Sequence, residues 1–424
     1  MLPRFAGELS SALSWLRHGA LCLRFTQRRR ASVCLLEDWM MRFWKRAGRV
    51  IFVLVFFFCI TFPALLSDKT GGGLSPEENR YLAEAPTLFQ GCRLNWQGGA
   101  LLQEVESWIN DNAWGREAAR SLLTDVHVQL LGDRMDGQML LSGDWRFLWR
   151  DDLPARAQHL DVLSEEALMA QRQKAQEIQQ ALADREASFC ATIFPHKIEI
   201  CNPFLPAEIN IADQPSLSER LYENLKDTLR LASGYETLQA SMEAWQEGAG
   251  PLTYYQAFDG SHWNWRGAFL GYGVMMENIQ SLYPELYVLQ EEDFQVISNQ
   301  VTTSLPGKSV SEEDSVWTPL QEKQSRREDV LLQQLNLPLK DPWHSNRSYV
   351  NEAHPEYPRA VLVGDSYLWM FFLDEIAESF SELVYLNVED ADLLMDVVDQ
   401  FQPELVAYAG IQLGNFIHLV NVPE

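Results

Sequence analysis

Apolar and polar positions alternate along the second half of the chain in blocks whose lengths fit strands and helices. Polar residues with apolar positions at helical spacing, preceded by Ser164 as a cap, predict a helix over 165–186. The apolar run that follows at 188–194 has the length of a buried strand. The pattern continues with a helix at 217–231, a strand before Gly364, a helix at 368–380, a strand at 382–388, a helix at 391–401 and a strand at 404–410. This alternation predicts an α/β fold, a parallel sheet with helices on both faces.

Two regions depart from this alternation. Residues 101–131 carry apolar residues at helical spacing and predict an amphipathic helix pair that is broken near 112–115. Between about 290 and 340 the chain is polar and rich in Ser and Glu, which predicts a mobile insertion without a core of its own. We therefore place the α/β domain at 151–424, with the polar insertion inside it, and a helical juxtamembrane segment at 67–150.

An apolar run near the N-terminus predicts a membrane anchor. Residues 50–66 contain no charged residue over 17 positions, which is the short end of what spans a bilayer. Residues 1–49 contain ten Lys or Arg and three Asp or Glu, and a basic flank stays on the cytoplasmic side. Since no small-residue cleavage site closes the run, we expect an uncleaved, single-pass transmembrane helix in the inner membrane. Residues 67–424 would then face the outside, which in a bacterium is the periplasm.

The extreme N-terminus contributes nothing to the fold prediction. Met40 and Met41 open a compact leader that is basic and then apolar, so translation is expected to begin there. Residues 1–39 contain an arginine run and no clear pattern, so they predict no element of the fold.

The charge of the chain excludes one class of partner. The formal net charge is -25, and the +7 of residues 1–49 leaves about -32 on the remainder. A nucleic-acid partner is therefore not expected, because such binding needs a positive surface. A strongly anionic polymer would also need a local basic groove to receive it.

Cysteine usage fits an exported domain. Cys92, Cys190 and Cys201 follow the apolar run and would lie in an oxidising compartment. Cys190 and Cys201 bracket a strand-like segment and its return, so we expect them to lie close enough for a disulfide, with one thiol left free. No residues have the spacing of zinc ligands, and no metal or cofactor is expected.

The stretch AVLVGDSY at 360–367 is the strongest candidate for chemistry. Four apolar residues run into Gly364, Asp365 and Ser366, and a helical segment follows, which places Ser366 at a strand-to-helix turn. A hydroxyl there lies near unpaired helix N–H groups that can hold an oxyanion. The alternative is that Asp365 or Ser366 only caps the helix.

A base and a carboxylate for Ser366 occur about a hundred residues earlier. In FDGSHWNWRG at 258–267, two residues separate Asp259 from His262, so the pair can supply an imidazole base and the group that orients it. The alternative is a turn at Asp259 and Gly260 with Ser261 capping the next helix and His262 packing. With Ser366, the pair makes a candidate Ser-His-Asp triad.

Five short segments occur in the order that they have in a known family. They are EENRYLAEAPTL at 77–88, WINDNAWGREA at 108–118, FPHKIEICNPFLP at 194–206, DGSHWNWRGA at 259–268 and VLVGDS at 361–366. From Leu74 to the C-terminus the chain thus resembles the SGNH-hydrolase-like polysaccharide O-acetyltransferases of the alginate acetylation type, the AlgJ and AlgX family. The resemblance implies an SGNH-hydrolase-like fold with Ser366 as nucleophile and with His262 and Asp259 completing the triad.

The resemblance also implies a reaction and a partner. The expected activity is transfer of an acetyl group to hydroxyls of an exopolysaccharide through an acyl-serine, with the acyl donor supplied by a multi-span membrane acyltransferase. Trp263 and Trp265 are expected to stack on sugar faces, unless they pack in the core. The chain departs from the family at one point, because two residues separate Asp259 from His262 where the family usually has one.

Two alternatives to transfer stay open. The same triad in a wetter site would hydrolyse the acyl-enzyme, which would make the chain a polysaccharide deacetylase or esterase. The altered spacing of Asp259 and His262 instead favours a non-catalytic carbohydrate-binding or scaffold subunit of a secretion complex.

Overall fold

The computed structural model describes residues 47–58, 72–75, 80–86, 89–90, 93–94, 99–338 and 345–422. The chain divides into two compact units, Met1–Leu123 and Thr124–Glu424. This division lies about 27 residues before the predicted start of the main domain at residue 151 (151 minus 124).

The N-terminal part of the chain contains a helix pair, whose second helix runs across the division between the two units. Residues 47–58 form helix α1, and four two-residue strands pair antiparallel as β1 (Leu74–Ser75) with β2 (Arg80–Tyr81) and β3 (Phe89–Gln90) with β4 (Arg93–Leu94). Helix α2 spans Gly99–Asn112 and helix α3 spans Arg116–Leu131. Gly115 turns the chain between them with a φ of +75°, which glycine adopts without steric cost. The predicted helix pair and its break are thus confirmed.

The predicted N-terminal segments are described only in part. Residues 59–66 of the expected span, residues 1–39 and Cys92 lie outside the described residues. Across the part of the chain that is described, no helix is both long enough and apolar enough to cross a membrane.

The second unit is built on a seven-stranded sheet. Five neighbouring strands run parallel in the order β15, β14, β16, β8 and β9, and β13 and then β12 extend the sheet antiparallel beside β15. The strands are β8 (Ser188–Ile193), β9 (Leu231–Ser233), β12 (Arg326–Arg327), β13 (Arg347–Val350), β14 (Arg359–Gly364), β15 (Glu382–Asn387) and β16 (Leu405–Gly410). The predicted parallel α/β sheet is confirmed, with an antiparallel edge.

Both faces of this sheet are covered, as the continuous apolar strands require. In β14, Ala360 and Leu362 point into one buried cluster, which also contains Met275, and Val361 and Val363 point into a second one. The helices are α4 (Leu153–Ala157), α5 (Glu165–Ala183), α6 (Lys197–Ile200), α7 (Leu217–Leu225), α8 (Tyr235–Gln246), α9 (Trp265–Gln280), α10 (Asp329–Gln334), α11 (Ser366–Trp369), α12 (Leu373–Ile376), α13 (Leu394–Phe401) and α14 (Leu413–Leu419). Side chains of α5, α7, α13 and α14 fill the second cluster.

A small antiparallel sheet explains why the domain begins earlier than predicted. It consists of β5 (Met135–Asp136), β6 (Met139–Ser142) and β7 (Trp145–Leu148). Trp145 and Phe147 are buried in the first core cluster. The N–H groups of Arg146 and Leu148 donate to the carbonyls of Gln256 and Gly260. Residues 135–148 therefore belong to the α/β domain and not to a juxtamembrane segment.

The prediction of a mobile, coreless insertion near 290–340 is wrong. Strands β10 (Phe294–Leu305) and β11 (Lys308–Pro319) form a hairpin with twelve paired residues on each strand. Its turn contains Gly307 at a φ of +76°. The hairpin buries Phe294 and Trp317 in the first core cluster. A solvated hairpin places a polar residue at most positions, so its average composition resembles that of a loop although its inward positions pack.

The predicted disulfide is also wrong. Cys190 lies within β8 and Cys201 ends α6, and both are free, buried thiols. Burial raises the pKa of each thiol to about 12. Both side chains are part of the apolar packing of the first core cluster.

Candidate active site

Ser366 follows the carboxyl end of β14, the central strand of the seven-stranded sheet. Strand β14 ends at Gly364, Asp365 caps the following helix, and Ser366 is the first residue of α11. The turn is tight, since a Cβ added to Gly364 would lie 2.5 Å from Cδ1 of Leu368 and 2.8 Å from the carbonyl oxygen of Ala409. The predicted strand-to-helix turn is confirmed. The helix after it is shorter than expected, because α11 stops at Trp369.

Asp365 caps the helix and leaves the hydroxyl of Ser366 free for other chemistry. Its Oδ1 accepts the N–H of Tyr367 at 3.1 Å, and its Oδ2 accepts the N–H of Ile411 at 2.8 Å. Burial raises the pKa of this carboxyl to about 6, although both N–H groups lower it. A Cβ at Gly410 would lie 2.4 Å from Oδ2. The small residue at 410 thus lets strand β16 approach the cap.

The structure brings Ser366, His262 and Asp259 together. The Oγ of Ser366 lies 2.8 Å from Nε2 of His262, and Nδ1 of His262 lies 3.0 Å from Oδ2 of Asp259. The side chains of Asp259 and His262 are 28% and 13% exposed, so neither is fully enclosed. This is the geometry of nucleophile, base and orienting carboxylate.

The two-residue spacing does not separate the carboxylate from the imidazole. Oδ1 of Asp259 accepts the N–H groups of Ser261 at 2.6 Å and of His262 at 2.8 Å, which folds the intervening residues into a tight turn. Oδ2 is left to face the imidazole. Asp259 thus holds the turn with one oxygen and orients His262 with the other, so the two sequence interpretations of this residue are compatible.

The charges of the pair favour a basic imidazole. Burial would raise the pKa of Asp259, but the charge of His262 and three hydrogen bonds hold that pKa well below its usual range. Burial would lower the pKa of His262, yet the carboxylate of Asp259 raises it above 6.5. Asp259 is therefore ionised at neutral pH, and it stabilises the imidazolium that forms when His262 takes a proton.

A second serine and histidine lie close together but cannot act in the same way. Nε2 of His196 is 3.0 Å from Oγ of Ser261. Nδ1 of His196 accepts the N–H of Ile198, so the ring proton lies on Nε2 and is donated to the Ser261 hydroxyl. Burial lowers the pKa of His196 to about 3. The neutral ring is a donor and not a base toward Ser261.

Tyr367 and Lys197 are two supporting residues; Lys197 lies in the segment 194–206 that carries the family resemblance, whereas the sequence did not single out Tyr367. The hydroxyl of Tyr367 donates to the carbonyl of Ser261 at 2.5 Å and accepts the N–H of Lys197 at 3.2 Å. Its ring lies 5.2 Å from that of His262, measured between centroids. Tyr367 thereby contacts the loop that carries His262. Its position directly after Ser366 was the only signal in the sequence.

Trp263 and Trp265, which were both expected to stack on sugar faces, lie in different surroundings. Trp263 is 1% exposed and packs against Phe194 and Tyr367, with ring centroids 4.8 and 4.7 Å apart. It cannot stack on a sugar, so that role is wrong for this residue. Trp265 is only partly buried and meets the edge of the Phe371 ring at 5.3 Å. Sugar stacking by Trp265 stays a prediction.

Most backbone N–H groups near Ser366 already have acceptors. Those of Tyr367 and Ile411 are bound by Asp365, and that of Gln412 donates to the hydroxyl of Tyr408. The amide of Asn415 donates to Gln412. The N–H of Ser366 itself is at the first helical position, where no intrahelical acceptor exists. It is the best candidate among these groups for an oxyanion donor.

Comparison with known proteins gives remote structural likeness. No family model and no curated protein matches this chain. Solved structures that are similar include Bacillus cereus PatB1, with 15% identity, 66% of this chain and 96% of that chain covered, and a TM-score of 0.47. The O-acetyltransferase domain of Pseudomonas putida AlgJ has 14% identity, coverages of 67% and 94%, and a TM-score of 0.38. Pseudomonas aeruginosa AlgX has 13% identity, coverages of 66% and 67%, and a TM-score of 0.31.

These values are too low to carry an argument about the site. The α/β fold therefore rests on the strand order of this chain, and the triad on its own hydrogen bonds.

Proposed function

We propose that this chain is an O-acetyltransferase that moves an acetyl group to hydroxyls of an exopolysaccharide through an acyl-Ser366 intermediate. The observation that carries the proposal is the continuous hydrogen-bonded set of Ser366, His262 and Asp259 at the carboxyl end of a parallel sheet. In open α/β sheets, ligands bind at this edge. That the acyl group is acetyl and that the acceptor is a polysaccharide are both inferred from the sequence resemblance to polysaccharide O-acetyltransferases.

In the first half-reaction the acetyl group moves to the enzyme. Nε2 of His262 takes the proton of the Ser366 hydroxyl while Oγ bonds to the acetyl carbon. The tetrahedral oxyanion is held by the N–H of Ser366. The bond to the leaving group then breaks, and His262 returns the proton to that group. Asp259 stays ionised throughout and holds the imidazolium in place.

In the second half-reaction a sugar hydroxyl replaces the leaving group. It gives its proton to Nε2 of His262 as its oxygen attacks the acetyl carbon, and the Oγ of Ser366 departs and recovers that proton. The products are the acetylated sugar and free enzyme. The donor is proposed to come from a multi-span membrane acyltransferase, which places both partners at the membrane.

The same proposal includes the topology, with 50–66 as an inner-membrane anchor and the α/β domain in the periplasm. A reporter that works only outside the cytoplasm is fused at the C-terminus. We expect activity from this fusion, because the basic residues precede the apolar run. Activity of a matched cytoplasmic reporter at the same position would overturn the topology and leave the chemistry to be tested by itself.

The chemistry is tested with a chromogenic acetyl ester. We expect a burst of chromophore and an acetylated peptide containing Ser366, and no burst from Ser366→Ala. Ser261→Ala is the matched control, since the His196 beside Ser261 is a donor and that hydroxyl is not activated. Acetylation of Ser261 in place of Ser366 would overturn the assignment.

Adding an oligosaccharide acceptor to the acetyl-enzyme separates the remaining functions. Acetylated oligosaccharide supports transfer, whereas release of acetate at the same rate with and without acceptor supports an esterase. Absence of any acetyl-Ser366 would favour the non-catalytic subunit. The non-catalytic hypothesis was based on the two residues that separate Asp259 from His262. This spacing does not prevent contact, because Oδ2 of Asp259 lies 3.0 Å from Nδ1 of His262.

A further inference from the structure

The loop that leads into Asp259 is held by a buried carboxylate from the β10–β11 hairpin. Glu312 on β11 is 2% exposed. Its Oε1 accepts the N–H groups of Ala257 at 2.9 Å and Phe258 at 2.6 Å, and its Oε2 accepts the N–H of Gln256. Three successive backbone donors thus converge on one side chain that lies more than 50 residues away in sequence.

A buried cation holds the same loop through its carbonyl groups. Lys197 is fully buried, and its Nζ donates to the carbonyl of Asp259 at 2.7 Å, of Gln256 at 3.3 Å and of Arg146 at 2.8 Å. The ammonium has three protons, and the three carbonyls account for them. Burial lowers the pKa of Lys197 to about 8, although the charges of Asp259 and Glu312 act to raise it.

We propose that Glu312 is a positioning residue of the active site, and that the β10–β11 hairpin sets the place of the Asp259 carboxylate relative to His262. The inference rests on the proposed function of this site. Glu312 acts on residues 256–258, Asp259 follows directly, and Oδ2 of Asp259 orients the imidazole at 3.0 Å. The hairpin is therefore part of the catalytic apparatus.

The carboxylate of Glu312 is better explained by a role in positioning the loop at 256–258 than by packing of the hairpin. A buried carboxylate is costly unless its oxygens are hydrogen-bonded, and here they bind the loop and nothing that a hairpin needs for its own pairing. The hairpin already has its apolar anchors in Phe294 and Trp317. Since about 1 Å of misplacement costs roughly 10²-fold in rate, a fixed loop before Asp259 has a direct catalytic value.

Glu312→Gln is the test variant. Gln keeps the shape of the side chain. Its NH₂ group, however, replaces an oxygen that accepted a backbone N–H, and two donors then face each other, so the loop must shift. We expect the rate of Ser366 acetylation by a saturating acetyl ester to fall about 10²-fold, with little change in the ester concentration at half-saturation. Glu313→Gln is the matched control, because Glu313 is exposed and, among the described residues, its carboxylate accepts only the hydroxyl of Ser298.

The pH profile distinguishes positioning from a general loss of structure. The charged groups that act on the His262 imidazole are Asp259, Asp365 and Lys197. A displaced Asp259 raises the pKa of His262 less, so the acidic midpoint of the acetylation rate should move down toward 6.5 in Glu312→Gln and stay unchanged in Glu313→Gln. A folded Glu312→Gln with the rate and midpoint of the unsubstituted protein would overturn the inference.

Two arrangements keep the test decisive. If Glu312→Gln does not fold, Glu312→Asp keeps the charge with a shorter reach; a lowered rate and midpoint support the inference, and unchanged values overturn it. The unsubstituted protein is measured first. If the unsubstituted protein forms no acetyl-Ser366, the proposed function fails. If the unsubstituted protein and the Glu312 variant are acetylated at the same rate, the proposed function stands and only the positioning role of Glu312 is overturned.

Discussion

Replacing Asp259 by Asn separates the two tasks of this side chain. Its Oδ1 accepts two N–H groups, from Ser261 at 2.6 Å and His262 at 2.8 Å, so the amide oxygen of Asn must take this side. The NH₂ group then faces Nδ1 of His262, where Oδ2 was 3.0 Å away. An amide N–H is a donor, so Nδ1 must accept and the ring proton moves to Nε2. Nε2 then donates to Ser366 and cannot take its proton.

The size of the effect follows from this change of tautomer. The same replacement in chymotrypsin-like serine proteases lowers kcat about 10⁴-fold for this reason, which corresponds to about 5.4 kcal/mol at 1.36 kcal/mol per factor of ten. We expect a loss of this order in the rate of Ser366 acetylation. The turn keeps both of its N–H bonds, so the thermal midpoint of Asp259→Asn should stay near that of the unsubstituted protein.

The rate is measured from the burst of chromophore with an acetyl ester, and folding from a thermal melt. Asp259→Ala is the companion variant, since it removes both tasks and should lose rate together with about 1 kcal/mol of stability. If folded Asp259→Asn acetylates Ser366 within tenfold of the unsubstituted protein, the reasoning is refuted, because the proton would be leaving without a basic Nε2.

Three further outcomes are expected. His262 must be neutral to accept a proton, and the neighbouring carboxylate raises its pKa above 6.5; kcat/KM should therefore fall as pH decreases through a midpoint above 6.5, and a midpoint at or below 6.5 would contradict this. Trp263→Ala should cost about 3–5 kcal/mol in urea unfolding and Trp265→Ala less, since Trp265 is only partly buried. Cys190 and Cys201 should react with a thiol reagent only after unfolding, because both are free and buried, and a non-reducing peptide map that shows a bridge would disprove this.

The candidate site was largely predictable at the level of residue identity. Ser366 follows an apolar strand and a glycine, and Asp259 and His262 stand in one short motif, so each could be recognised in a window of a few residues. The distances between these three side chains could not be predicted from such windows. The sequence left open whether a two-residue spacing allows contact, and only the turn around Oδ1 of Asp259 brings Oδ2 to the imidazole.

Burial was harder to predict than element type. Trp263 and Trp265 look equivalent in the sequence, yet the first lies beneath Tyr367 and the second lies beside Phe371. The hairpin has the composition of a loop, because its outward positions are polar and its few inward positions are spread along two strands. Neither distinction is present in a local average of hydrophobicity.

The sequence by itself determined the buried strands β8, β14, β15 and β16 and the start of helix α5, because a strand buried on both faces must be apolar throughout and a helix cap needs a specific side chain. It also determined that a serine stands where β14 becomes a helix. Only the tertiary structure decided which groups meet that serine and what holds them. Glu312 binds the loop before Asp259 from more than 50 residues away, and Tyr367 reaches Ser261 across 106 positions. Such contacts depend on the path of the whole chain, which no local pattern of residues contains.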